Sequence, residues 1–212
     1  QARGMVLVLK SAGSAWFPVP KNANSSIRYA LSAMAEEEGD LIRTWNNPMS
    51  LRMRRLARGC HKIAVVRDPV QRILSAYGER VIGRGVVGRT ATGRIAARLG
   101  GLPHRPCPET FFDRFSRYRL LNDKVRRHTD LQCRYLGPDL GWFDAVYTLD
   151  GLDRLADDLT RRLGRPVRFG RCKSDGPKFR PGDLSPRHRA MLAAYTAPDR
   201  EMLARAGLSP RR

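Results

Sequence analysis

The chain is short of the features that mark several protein classes. Among its 212 residues no apolar run approaches the roughly 18 residues a membrane span requires. Met5–Leu9 is too brief for the core of a secretory leader, and no small-residue cleavage site follows it. The expected location is therefore cytoplasmic and soluble, unless an N-terminal anchor has been removed, since the chain starts on Gln1 rather than Met. Cysteine is sparse. Cys60, Cys107, Cys133 and Cys172 lie at long, unequal separations that match no zinc-ligand spacing, so buried free thiols and no metal are expected. A Cys107–Cys133 disulfide is open only to an exported chain. The G-x-x-x-x-G-K-[ST] string of phosphate-loop kinases is missing, which counts against phosphoryl transfer. So are zinc-finger, basic-zipper and aromatic ribonucleoprotein patterns, which counts against specific nucleic-acid recognition.

Acidic residues are scarce too. Twenty Asp and Glu face forty Lys and Arg, a formal net charge of +20. Such a field concentrates polyanions. A nucleotide with several phosphates meets part of that demand, and an acidic glycan or lipid acceptor meets more. A solvated, arginine-rich face is the plainer account of the charges outside the motifs described next.

With 42% hydrophobic residues the chain is long enough for one packed core, and a single domain over residues 1–212 is expected. Two stretches stand out within it. VPKNANSSIRYAL at Val19–Leu31 follows the apolar run Ala15–Val19. Pro20 and Lys21 end that run, Asn24 or Ser25 can cap, and Ile27, Ala30, Leu31 and Met34 fall at helical spacing. IAVVRDPVQRILSAY at Ile63–Tyr77 opens on a β-branched run too short for a helix. Arg67 and Asp68 come next, then Pro69 where a first-turn proline is tolerated, and Ile73, Leu74 and Tyr77 at helical spacing. Each stretch reads as strand, polar turn and helix start, a geometry that aims free backbone N–H groups at an anion. Two such turns on neighbouring strand ends suit the two ends of one multiply phosphorylated nucleotide.

Further along, Ser26–Glu38 is expected to be the first helix, Leu41–Trp45 a short strand and Ser50–Arg58 a basic helix. A helix is expected over Glu109–Leu121, with Phe111, Phe112, Phe115, Tyr118 and Leu121 as packing residues. Leu152–Leu163 reads as an amphipathic helix, and Pro186–Ala206 as one or two more, broken near Pro198. Alternating strands and helices imply an α/β fold with a central parallel sheet flanked by helices, whose ligands gather at the carboxyl ends of strands. Residues 83–108 differ from their surroundings: six glycines and Arg84, Arg89, Arg94 and Arg98 suggest a flexible surface insertion, or a loop gating an acidic acceptor.

At these residues the chain resembles the sulfotransferases that use 3′-phosphoadenosine 5′-phosphosulfate (PAPS), in particular the branch that sulfates carbohydrates. PKNANSS is similar to that family's 5′-phosphosulfate loop. RDPVQRILSAY is similar to its 3′-phosphate motif RDPxxRxxSxY, with Arg67, Asp68, Pro69, Arg72, Ser75 and Tyr77 all in place. Weaker similarity runs through Thr110–Phe115, through HTDLQCRYLG at His128–Gly137, and through YTLDGLDRL at Tyr147–Leu155. The resemblance covers roughly Ala15 to Leu203 and implies a sulfotransferase fold and a metal-free PAPS donor. It also implies that the basic loop Arg171–Arg180, with Lys173, Ser174, Lys178 and Arg180, closes over the nucleotide.

The chemistry implied is in-line attack of an acceptor hydroxyl on sulfur, with negative charge developing on the oxygen that bridges to the 5′-phosphate. Stabilising such charge is commonly the largest catalytic term. Lys21 is the expected catalytic cation. Asn22, Ala23, Asn24, Ser25 and Ser26 would supply backbone N–H groups and two hydroxyls. Arg67 and Ser75 would hold the 3′-phosphate, while Arg72 and Tyr77 suit structural roles in a helix facing a sheet.

The general base departs from the family. Relatives place a Glu or His after the second strand, where this chain has Trp45, Asn46 and Asn47. His128, Glu79, His61 and His104 are the alternatives, His128 first because imidazole titrates near neutrality, and Glu79 next. Three functions stand at this point: a PAPS-dependent sulfotransferase acting on a sugar hydroxyl, a nucleotide kinase, and a nucleotide- or polyanion-binding protein that has lost catalysis.

Overall fold

Strand-forming apolar runs and the helices between them account for most of residues 4–34, 40–46, 55–89, 91–170 and 176–208, which the computed structural model describes. These residues divide into two compact units, one made of residues 1–67, 132–172 and 198–212 and the other of 68–131 and 173–197.

The first unit is the sheet. β1 (Gly4–Leu9), β2 (Ser14–Phe17), β3 (Leu41–Asn46), β4 (His61–Val66) and β5 (Ala145–Thr148) lie in the order β3-β1-β2-β4-β5. β2, β4 and β5 are parallel, with Phe17 opposite Ala64 and Val66 opposite Thr148. β1 is antiparallel to both of its neighbours, so β3 points the same way as β2. The α/β class with a parallel sheet is therefore present, together with one strand the sequence reading did not name. Met5–Leu9, considered there only as a leader core, is β1, and its Val6, Leu7, Val8 and Leu9 are all buried. A tight turn closed by Gly13 N–H to Lys10 carbonyl at 2.9 Å, with Gly13 at φ 54°, returns the chain into β2.

Continuous apolar runs, rather than alternation, mark β2 and β4 because both faces of the sheet are covered. Trp16, Ile63 and Val65 pack with Ile27, Leu31 and Met34 of α1 (Asn24–Met34) and with Leu155 and Leu159 of the later helix Leu152–Leu163. Phe17, Ala64 and Val66 face the other way, onto Tyr135, Leu136, Phe143, Met202 and Leu203. The expected first helix is formed over Asn24–Met34, the rest of its expected span to Glu38 lies outside the described residues, and so does most of the expected helix at Ser50–Arg58.

The second unit begins with α2 (Pro69–Ala76). Asp68 caps it by accepting from Gln71 N–H at 2.7 Å, with Pro69 in the first turn. The chain runs on through a π-helical turn, Tyr77–Gly83, and then α3 (Ala91–Leu99), α4 (Pro108–Asp113), α5 (Phe115–Leu121) and α6 (Asp123–Thr129). The single helix expected at Glu109–Leu121 is two, broken at Arg114, whose φ of −111° and ψ of 23° leave the helical region. Its aromatic residues are packing, as expected: Tyr77, Phe111, Phe112, Phe115 and Tyr118 share one cluster with ring centroids 4.9–6.1 Å apart, whereas Leu121, expected beside them, is exposed at the end of the second helix. Within residues 83–108, α3 is formed and Val86, Val87, Ala97 and Leu102 join that same cluster.

α7 (Cys133–Leu136) and α8 (Leu152–Leu163) return to the first unit. α9 (Pro186–Tyr195) and α10 (Ala197–Arg205) follow, separated at Thr196, whose hydroxyl bonds back to the Leu192 carbonyl at 2.7 Å.

Candidate donor-binding site

Two turns leave the carboxyl ends of the adjacent parallel strands β2 and β4, the place where α/β sheets bind ligands. In the first, Lys21 has φ 76° and Ala23 φ 55°. Left-handed backbone at non-glycine residues costs roughly 1–2 kcal/mol each and persists only where the surroundings hold it. Asn22, between them, does the holding. It is fully buried, its N–H reaches the Val19 carbonyl at 3.2 Å, and its Nδ2 donates to Val65 O and to Gln132 Oε1, both at 2.8 Å.

The strained turn runs straight into α1. The Ala23 carbonyl accepts from Ile27 N–H at 3.1 Å, so the N–H groups of Asn24, Ser25 and Ser26 form the first helical turn. No helical carbonyl is available to groups in that position, and the helix dipole adds partial positive charge there. Residues 18–26 carry one cation, Lys21, two hydroxyls and no carboxylate. That donor set fits an anion such as a phosphosulfate.

Arg67 directly follows β4 and opens the second turn. Its guanidinium Nη1 donates to the Lys21 carbonyl at 3.4 Å, which ties the two motifs directly. Its backbone is held by a residue from neither motif. Gln132 Oε1 accepts from Arg67 N–H at 3.1 Å, and Gln132 Nε2 donates to Arg67 O at 2.8 Å. Sequence reasoning missed Gln132; the signal was its place in HTDLQCRYLG, where only the histidine was weighed.

Arg72 and Tyr77 have the structural roles expected of them. Arg72 is fully buried and donates to the carbonyls of His128 and Asp130. Tyr77 donates its hydroxyl to Pro106 O at 2.7 Å, and burial lifts the phenol far above its ordinary range. Ser75, half-buried on α2, belongs to the second unit, as do both favoured bases.

His128 sits in the last turn of α6 with Nδ1 2.7 Å from the Lys124 carbonyl oxygen. A carbonyl can only accept, so Nδ1 carries the proton of the neutral ring and Nε2 is the basic nitrogen. Glu79, on the π-helical turn, lies 3.2 Å from Arg84 and 3.7 Å from Arg80, with its side chain 13% exposed. His61 opens β4, and burial, then Arg162, pushes its pKa down. His104 is exposed on the stretch before α4. The backbone of Trp45 and Asn46 pairs with Met5 and Gly4 at the end of β3; their side chains, together with Asn47, Lys173 and Ser174, lie outside the described residues.

Cys60, Cys107 and Cys133 are free thiols, with Cys107 exposed where burial was expected. Among the described residues no group of His, Cys, Asp or Glu is arranged to hold a metal ion, and no helix is long and apolar enough to cross a membrane.

Adjacent parallel strand ends carrying a lysine turn and an arginine turn, joined to each other, define an α/β fold with an anion-binding edge. The model of the sulfotransferase family matches residues 7–180, and the chain belongs to that family. No curated protein and no solved structure matches it.

Proposed function

We propose that the chain transfers a sulfuryl group from PAPS to a hydroxyl of a carbohydrate acceptor. The observation that carries this reading is the strained turn at Lys21–Ala23, held by a buried asparagine and bonded to Arg67, the first residue of RDPVQRILSAY. PAPS supplies an activated sulfuryl group whose departure leaves negative charge on a 5′-phosphate oxygen. Lys21 neutralises that charge, and the N–H groups from Ala23 to Ser26 with the Ser25 and Ser26 hydroxyls hold the 5′ end, while Asn22, whose own N–H goes to the Val19 carbonyl rather than to the ligand, holds the turn in place. Arg67 and Ser75 are assigned to the 3′-phosphate, the group that distinguishes this donor from ATP.

His128 is the proposed base, supported by the assignment of its basic nitrogen to Nε2. Glu79 ranks second because two arginines already claim its carboxylate. An anionic glycan is the proposed acceptor, since the net charge of +20 favours it and Arg89, Arg94 and Arg98 are exposed on the 83–108 stretch.

The test is calorimetric titration of 3′-phosphoadenosine 5′-phosphate in EDTA, with ATP as the comparison, into wild type, Lys21→Ala and Arg67→Ala. Tight metal-free binding of the bisphosphate over ATP, weakened in Arg67→Ala, supports the reading. Equal binding of the two nucleotides overturns it and favours the kinase or polyanion-binding function. Once an acceptor is found, Lys21→Ala should lower kcat by about 10²–10³-fold, the usual effect of removing one donor aimed at developing charge.

A further inference from the structure

The geometry points to Gln132 as a positioning residue that fixes the spacing of the two phosphate-binding turns, so that they act as one bidentate site. This inference rests on the donor-binding reading above and concerns a residue outside both motifs, 110 positions from Asn22 and 65 from Arg67.

Gln132 is fully buried, and its amide is used on both sides. Toward Arg67 it imitates a neighbouring strand, accepting the N–H at 3.1 Å and donating to the carbonyl at 2.8 Å. The pairing stands one residue past the Val66–Thr148 register, the last position β5 shares with β4. The same Oε1 accepts from Asn22 Nδ2 at 2.8 Å, and Asn22 is the residue wedged between the two left-handed positions of the lysine turn. One side-chain amide therefore grips the backbone of one turn and the anchor of the other.

Gln132 is itself immobilised. Its N–H and that of Cys133 donate to the two carboxylate oxygens of Asp199 at 2.8 and 2.9 Å, and Asp199 is fully buried. A carboxylate at the start of α7 also meets the positive end of that helix. The chain thus runs Asp199, Gln132, then Asn22 and Arg67, with each member fixed by the one before it.

Such a clamp has a specific consequence. When each turn grips one end of a ligand, the second contact forms intramolecularly, and its gain depends on the two half-sites staying at the matching separation. Drift of an ångström between them removes most of that gain while each half-site keeps its own weak affinity. Gln132 therefore governs the ratio of affinities for two-ended and one-ended ligands, a quantity that loss of global stability does not change.

The experiment measures that ratio by calorimetry, in EDTA, for 3′-phosphoadenosine 5′-phosphate against adenosine 5′-phosphate, in wild type and in Gln132→Met, which keeps the length of the side chain and loses its hydrogen bonds. Wild type should prefer the bisphosphate. In Gln132→Met the preference should shrink at least tenfold, with binding of adenosine 5′-phosphate changed less than threefold. Thermal melting verifies folding. Where Gln132→Met does not give folded protein, Gln132→Asn decides by the same ratio, since it keeps an amide too short to span both turns. A wild-type preference that persists unchanged in the variant, with or without a lower melting temperature, overturns the role of Gln132 and leaves the donor site standing. No preference in wild type overturns the donor reading, and this inference with it.

Discussion

Arg72 is the largest fully buried side chain among the described residues, and its guanidinium donates to main-chain carbonyls. Replacing it with methionine keeps an unbranched apolar stem of similar reach and removes the guanidinium. The carbonyls of half-buried His128 and buried Asp130 then lose a charged donor, at about 1.5–3 kcal/mol each. Removing a cation from the interior returns part of that, because burying an ion is itself costly. The net expectation is a loss of about 3 kcal/mol. For a chain of this size that lowers the melting temperature by about 6–12 °C. Arg72→Lys is the informative control, since it keeps the charge but cannot fork to two carbonyls and should lose about 2 kcal/mol. Asp130 also accepts from Arg119 at 2.6 Å, and the Arg119 guanidinium lies 4.8 Å from the Tyr195 ring centroid, so the segment keeps a second anchor and the protein should still fold. Scanning calorimetry of the three proteins reads the effect. An Arg72→Met protein within about 0.5 kcal/mol of wild type, the range of ordinary surface changes, would refute the reasoning.

Asp144 and Cys133 give two further expectations. Partial burial opposes ionisation of Asp144, but the Lys62 ammonium at 2.5 Å and the Lys62 backbone N–H at 2.7 Å overcome it and hold the carboxyl below its usual range. A depressed carboxyl stabilises the fold above its unfolded pKa of about 3.9, and the benefit disappears as pH falls through the lower native value. The melting-temperature gap between wild type and Asp144→Asn should hold steady from neutrality to about pH 5 and close on further acidification; a gap that widens in acid contradicts the assignment. Burial, reinforced by Asp199, pushes the Cys133 thiol up to about 12. Since the thiolate is the nucleophile, native protein treated with iodoacetamide at pH 8 should be alkylated at exposed Cys107 and spared at Cys133 until unfolded. Equal labelling of the two in peptide mass mapping would be the contrary result.

The parts of the fold that were legible in the sequence are those set by short-range rules. Ile63–Val66 is apolar on every residue because both sheet faces are covered, which is why it reads as a buried strand without its partners. Asp68 and Pro69 specify the start of α2 by capping and fixed φ, and Leu152–Leu163 was found at its boundaries from apolar spacing alone. β1 escaped notice because a five-residue apolar run at a chain start has no period of its own; pairing with β2 and β3 makes it a strand. Arg114 splits the aromatic helix because packing of the rings on either side overrides a continuous helical pattern.

For the site, the sequence by itself determined the ingredients: a lysine turn, an arginine turn, and the family to which both belong. Their residue types and spacing are local, and local chemistry survives being read in one dimension. Only the tertiary structure decided that Lys21 and Ala23 adopt left-handed backbone, that Asn22 is buried to hold them there, and that Gln132 joins Asn22 to Arg67. None of these is encoded at one position. A strained turn exists only where surrounding hydrogen bonds outweigh its cost, and those bonds come from residues tens of positions away that the parallel sheet brings to one edge.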